Sequence, residues 1–213
     1  MRRDEAFEVL GPVAAEQGGY ITAQQALLGG VPQWMLVKLA DRGFLRRVRR
    51  GVYRSDLGRA SSLREETIAA WLELDGAVLP WERGVVRAVI SHASAASLLD
   101  IGSIVPGLPE ITVRRAVRRR ADVTIHVAPF ASEDVTWLPL DEALRVPVTN
   151  AARTIIDLLL ANEETDYLER ALREAFVDRR SARGALAGAA SRRTRARGLE
   201  GRIERLAVGS WPA

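Results

Sequence analysis

Gln33, Trp34, Val37 and Lys38 recur at the spacing of one helical face, and their side chains can read or grip a duplex. A glutamine amide can pair with the N6/N7 edge of adenine. A lysine can reach guanine or a phosphate, and Trp34 can pack on sugar or on a thymine methyl. Just beyond them, Arg42, Arg46, Arg47, Arg49, Arg50 and Arg54 fall within thirteen residues that include no acidic side chain, interleaved with Phe44 and Tyr53. Guanidinium groups fork onto phosphate oxygens. Each phosphate they neutralise releases counterions, so such a run predicts salt-dependent binding to nucleic acid.

These residues need elements to present them. Phe7, Leu10, Val13 and Ala14 recur at helical spacing and predict a helix over Asp4–Gln17, ended by Gly18 and Gly19. Thr22-Ala23-Gln24-Gln25 has the form of a capping box that opens a short helix before Gly29-Gly30. Pro32 suits the first turn of the next helix, which runs to about Arg42 and stops at Gly43. Val31, Met35, Leu36 and Leu39 then face a core, leaving Gln33, Trp34, Val37, Lys38 and Asp41 to solvent. Phe44–Arg54 predicts two short strands with a turn near Arg49–Gly51, in which Arg47 and Arg49 point the same way. The order helix, short helix, glycine turn, helix, basic hairpin is that of a winged helix-turn-helix.

The expected fold class is α+β: a winged helix-turn-helix over residues 1–60, then a mixed α/β domain over 61–178. An Arg/Ala/Gly-rich segment, partly helical or flexible, follows over 179–213. Helices are predicted over Leu63–Leu74, Ser91–Leu99 and Thr165–Val177, and within Val146–Leu160 after a Pro-Val-Thr-Asn lead-in, and strands at Ala77–Pro80 and Val85–Ile90. Glu110–Arg114 and Asp122–Ala128 read as paired strands joined by an arginine-rich loop. That loop holds a second basic patch, Arg114, Arg115, Arg118, Arg119 and Arg120, whose mutual repulsion predicts exposure. A third cluster, Arg192, Arg193, Arg195 and Arg197, falls in the C-terminal segment and reads as a solvated tail.

The remaining composition argues against an enzyme. Lys38 is the single lysine among 31 basic residues, so there is no Gly-Lys pair for a nucleotide phosphate. The Glu-x-Lys element of many nucleases is excluded because Leu36 stands in the partner position. The two histidines, His92 and His126, lie far apart in sequence with no metal-ligand spacing, and His92 reads as part of a helix start. No cysteine is present, so no disulfide framework is expected. No catalytic residue, metal site or cofactor is therefore expected. No apolar run approaches the roughly 20 residues of a membrane span, and a cytoplasmic location without membrane partners is the expectation. The net charge of +4 is too small to name a partner by itself.

Three stretches resemble the AbiEi family of antitoxins from type IV toxin–antitoxin systems. The first runs from Gly19-Tyr20-Ile21-Thr22 to Gly51-Val52-Tyr53-Arg54. Its Leu36, Leu39, Gly43, Leu45, Val48, Arg49, Arg50, Gly51, Val52 and Tyr53 give the most specific rhythm. The others are Val89–Ala95 and Val146–Leu158. The resemblance implies a winged-helix domain followed by an antitoxin domain, repression of the protein's own operon at double-stranded operator DNA, and a nucleotidyltransferase-like toxin to counteract. It makes Pro32–Arg42 the recognition helix, and Arg46, Arg47, Arg49, Arg50 and Tyr53 the wing. The competing reading is a protein-interaction module whose basic faces bind an acidic partner.

Overall fold

A computed structural model of the chain describes residues 1–55, 62–79, 87–118, 120–140, 142–177, 179–193 and 199–209. The expected boundary between residues 60 and 61, and residues 80–86, lie outside the described residues. The chain divides into two compact units, Met1–Val86 with Trp137–Val146, and Arg87–Thr136 with Pro147–Ala213.

In the first unit, α1 (Arg3–Ala15), β1 (Tyr20–Thr22), α2 (Ala23–Leu28), α3 (Gln33–Asp41), β2 (Arg46–Arg49), β3 (Val52–Arg54) and α4 (Leu63–Leu74) follow in order. The strands form an antiparallel sheet ordered β1-β3-β2. Ala6 and Leu10 of α1, Ile21 of β1, Met35, Leu36 and Leu39 of α3, and Tyr53 of β3 share one apolar cluster. Thr22 caps α2 as its sequence predicts: its hydroxyl accepts from Gln25 N at 3.1 Å and the Gln25 side chain accepts from Thr22 N at 3.0 Å. The same hydroxyl donates to the Gly76 carbonyl just after α4, which no local pattern announces. Gln25 also exchanges amide hydrogen bonds of 3.0 Å with the buried Gln17. Thr22→Ala should therefore cost about 1–2 kcal/mol, the worth of a cap plus a buried acceptor left unpaired. A urea midpoint equal to wild type would rule this out.

The second unit is built on β4 (Ala88–Ile90), α5 (His92–Leu99), β5 (Glu110–Val113), β6 (Thr124–Val127), α6 (Ala151–Leu160), α7 (Thr165–Ala175), α8 (Arg179–Ser191) and α9 (Glu200–Gly209). With β7 (Val135–Pro139) and β8 (Arg145–Thr149), the strands make a five-stranded sheet ordered β6-β5-β4-β8-β7. Ala77–Leu79, expected as part of a strand, form turn and irregular backbone. Strands β5 and β6 do pair, but in parallel, with Thr112 opposite His126. The connection between them is a crossover and not the hairpin tip that adjacent paired strands suggest.

The C-terminal segment is also more ordered than its composition implies. Ala182, Leu186 and Ala189 of α8, and Ile203 and Leu206 of α9, belong to one buried cluster with Ile155, Ile156 and Leu159 of α6 and Leu168 and Leu172 of α7. Small alanines let α8 approach closely, and the apolar period survives beneath the arginines. Arg192 and Arg193 are not solvated tail residues. They bind Asp134 and Asp157, both fully buried, at 2.8 and 2.9 Å. Arg195 and Arg197 lie outside the described residues.

Candidate nucleic-acid interface

Helix α3 is held by one face. Met35, Leu36 and Leu39 are buried, while Gln33, Trp34, Val37, Lys38 and Asp41 are exposed, as the 3.6-residue period requires. Trp34 is 54% exposed, which is high for so large an apolar side chain, and the Lys38 ammonium lies 5.9 Å from its ring centroid. Arg42, at the helix C-cap, is exposed as well. Asp41 places negative charge near that C-terminal end, so the N-terminal half of the exposed face is the part suited to approach a duplex.

The wing arginines separate into two sets. In an unbroken ribbon Val48 would stand opposite Val52, and Arg49 would share a face with Arg47. Instead the register shifts between Arg47 and Arg49: Arg47 pairs with Tyr53, and Arg49 with Val52. A bulge of this kind inserts one residue and turns the next side chain to the other face. Arg46, Arg49 and Arg54 consequently face α4. Arg46 Nη2 lies 2.7 Å from Glu65 Oε1, which Arg54 Nη1 also binds, and Arg49 Nε lies 2.9 Å from Glu73 Oε2. The Arg49 side chain is only 8% exposed. Tyr53 is buried in the core between the wing and α1. Arg46 and Arg49, expected as contacts to nucleic acid, are engaged by two carboxylates, and Tyr53, expected with them, by the apolar core. Arg47 and Arg50 remain exposed, and among the described residues they make no ion pair. A cleft of about 470 Å³, whose lining includes Val37, Asp41 and Arg47, separates α3 from β2.

Glu65 anchors this arrangement electrostatically. Its burial opposes ionisation, but hydrogen bonds from Arg46 and Arg54 outweigh that and hold the carboxyl below its usual 4.5. The anchorage therefore stabilises the fold above that pH and is lost as pH falls through the lower folded value.

Residues 10–55 match the family described as "Transcriptional regulator, AbiEi antitoxin". Over that stretch the N-terminal segment is similar to AbiEi antitoxin regulators. Its matched span runs from α1 to the end of β3, so it includes the whole helix-turn-helix and the wing but not α4. Over the full chain, the structure is similar to the crystal structure of the RV2827C protein from Mycobacterium tuberculosis. The identity is 18% and the TM-score 0.44, covering 100% of this chain and 84% of that one. No curated protein matches the chain. Among the described residues, no helix is long and apolar enough to cross a membrane.

Beyond the matched residues 10–55, Arg114, Arg115 and Arg118 are exposed as expected, with the Arg114 guanidinium 4.7 Å from the centroid of Phe130. Arg120 is half-buried and bridges to Val123, and Arg119 lies outside the described residues. Two groupings escaped sequence reasoning. One is the buried ionic cluster of Arg153, Asp134 and Asp157. The other joins the two histidines. His92 and His126 stack with centroids 3.5 Å apart, and His126 Nε2 lies 2.7 Å from Glu110 Oε2. The expected absence of ligand spacing reflected the linear chain, in which these residues are far apart. Period-two alternation along β5 and β6 was the available signal, since it puts Glu110, Thr112, Thr124 and His126 on one face once the parallel register is known.

Proposed function

We propose that this chain is the antitoxin of a type IV toxin–antitoxin pair, which binds double-stranded operator DNA, represses its own operon and counteracts a nucleotidyltransferase-like toxin. In this reading α3 enters the major groove with its N-terminal half, as helix-turn-helix recognition helices do. Gln33, Trp34 and Val37 meet base edges, while Lys38, Arg42, Arg47 and Arg50 meet phosphates. Arg114, Arg115 and Arg118 offer a second basic patch, open to anions. Toxin neutralisation is placed in the chain from about residue 62 onward.

The observation that supports the DNA half is the exposed face of α3, fixed from behind by Met35, Leu36 and Leu39 and flanked across a cleft by Arg47. A side chain on a face so firmly backed can report sequence, because its position is set before the duplex arrives. The toxin half rests on the AbiEi description of residues 10–55.

Binding of the full chain to its upstream promoter, followed by fluorescence anisotropy against single-base operator variants, tests the assignment. Gln33→Ala should relax preference at one base pair by roughly 1–3 kcal/mol while leaving binding to unrelated duplex unchanged. An unaltered preference profile would remove Gln33 from the base-reading set. Co-expression with the adjacent toxin gene tests the second half: restored growth with the full chain is expected, and continued toxicity counts against the antitoxin role.

A further inference from the structure

The chain has two histidines and no cysteine, and the fold brings both histidines to one carboxylate. His92 is the first residue of α5, Glu110 opens β5 and His126 lies on β6. One ligand atom from each of the three lies within 4.8 Å of the others. We infer that His92, Glu110 and His126 form a binding site for a divalent transition-metal ion of the zinc class, an ion that would pin α5 to β5 and β6.

Several features favour ligation over a chance meeting. His92 Nδ1 lies 2.9 Å from Ser91 Oγ, which accepts a hydrogen bond of 2.8 Å from Thr112 Oγ1. A partner on Nδ1 fixes the ring and directs Nε2 elsewhere, the arrangement that orients metal-binding histidines. Glu110 is fixed too: Ala93 N donates to its Oε1 at 3.3 Å, leaving Oε2 for His126. His92 is buried, which shields a bound ion from solvent on that side. Its φ of 52° lies in the left-handed region, a conformation disfavoured for a side chain with a Cβ. Backbone strain of this kind concentrates where a side chain must be aimed.

Two imidazoles and one carboxylate are a common protein ligand set for zinc, leaving a fourth position for water. Ligand atoms around a tetrahedral ion stand about 3.4 Å apart, given bonds of roughly 2.0–2.1 Å. The cluster therefore closes on an ion by shifts on the order of an ångström, with His126 turning out of the stack. His126 and Glu110 are partly exposed, 26% and 19%, so the move is open to them.

The test uses the full chain, stripped with chelator, dialysed against micromolar Zn²⁺ and analysed for bound metal. Wild type should retain one equivalent and gain thermal stability, and Co²⁺ in place of Zn²⁺ should give the intense visible absorption of a low-coordinate site. His126→Gln and Glu110→Gln, each with wild-type circular dichroism, should lose at least tenfold in affinity. As no other histidine or cysteine exists in the chain, no second imidazole or thiolate can mask the loss. Wild type that holds no stoichiometric zinc, or folded variants that hold it as tightly, would overturn the site.

Discussion

Replacing Asp157 by alanine is expected to lower the thermal midpoint of the full chain by roughly 6–20 °C. Asp157 is fully buried and accepts from Arg153 Nε and Arg193 Nε, each at 2.9 Å. Arg153 is itself fully buried and has Asp134 as its other carboxylate, 3.1 Å from Nη1, while Asp134 also holds Arg192. Three guanidinium groups thus share two carboxylates. Removing one carboxylate leaves an excess of positive charge where water cannot reach, and breaking a buried pair in this way costs about 3–5 kcal/mol. For a chain of this size each kilocalorie shifts the midpoint by about 2–4 °C.

The cluster also has a direction that can be tested. Asp157 stands on α6, whereas Arg192 and Arg193 follow α8, so the carboxylates moor the C-terminal segment to the sheet and to α6. Arg193→Ala removes a cation that is 9% exposed and leaves the Arg153–Asp157 pair intact, so its effect should be clearly smaller. Amide exchange in α8 and α9 should rise first in either variant, because Arg192 and Arg193, just after α8, tie this segment to Asp134 and Asp157. If Asp157→Ala melts within 2 °C of wild type, or if Arg193→Ala is the more damaging change, the cluster does not hold the unit together.

How much of this was legible in the sequence follows a simple physical division. Features set by neighbours within four residues could be read. The Thr22–Gln25 box, the buried face of α3 and the turn at Gly51, whose φ of +76° suits glycine, all follow from local periodicity or backbone sterics. Features set by distant partners could not. The destination of Arg46 and Arg49 depended on Glu65 and Glu73, which lie 19 and 24 residues further on. Period-two alternation misplaced Arg49 because the bulge between Arg47 and Arg49 breaks that period. Val146–Leu158 carried the AbiEi resemblance, but nothing local distinguishes Arg153 and Asp157 from an exposed i,i+4 pair. Their burial comes from Asp134 and from the two arginines that close over them. The histidine pair was hidden for the same reason: it takes the antiparallel pairing of β4 with β5 and the parallel pairing of β5 with β6 to make it visible.

The same division of the wing arginines predicts opposite phenotypes for changes of identical chemistry. In Arg47→Ala/Arg50→Ala two exposed cations disappear, and among the described residues no ion pair is broken. Stability should stay within about 0.5 kcal/mol of wild type, the usual range for surface substitutions. Binding to every duplex should weaken, and the slope of log K against log salt should fall in magnitude by about 1.8, at 0.9 per phosphate contact. In Arg46→Ala/Arg49→Ala the charge removed is equal, but it is charge already engaged by Glu65 and Glu73 on α4. Each substitution should cost about 1–2 kcal/mol of stability, while the salt slope, measured below the melting transition, should remain that of wild type. Total charge cannot distinguish the two pairs, so any difference in slope must come from where the guanidinium groups point. Equal slopes for the two double variants would mean that the bulge does not sort the wing into a DNA-facing and a helix-facing set.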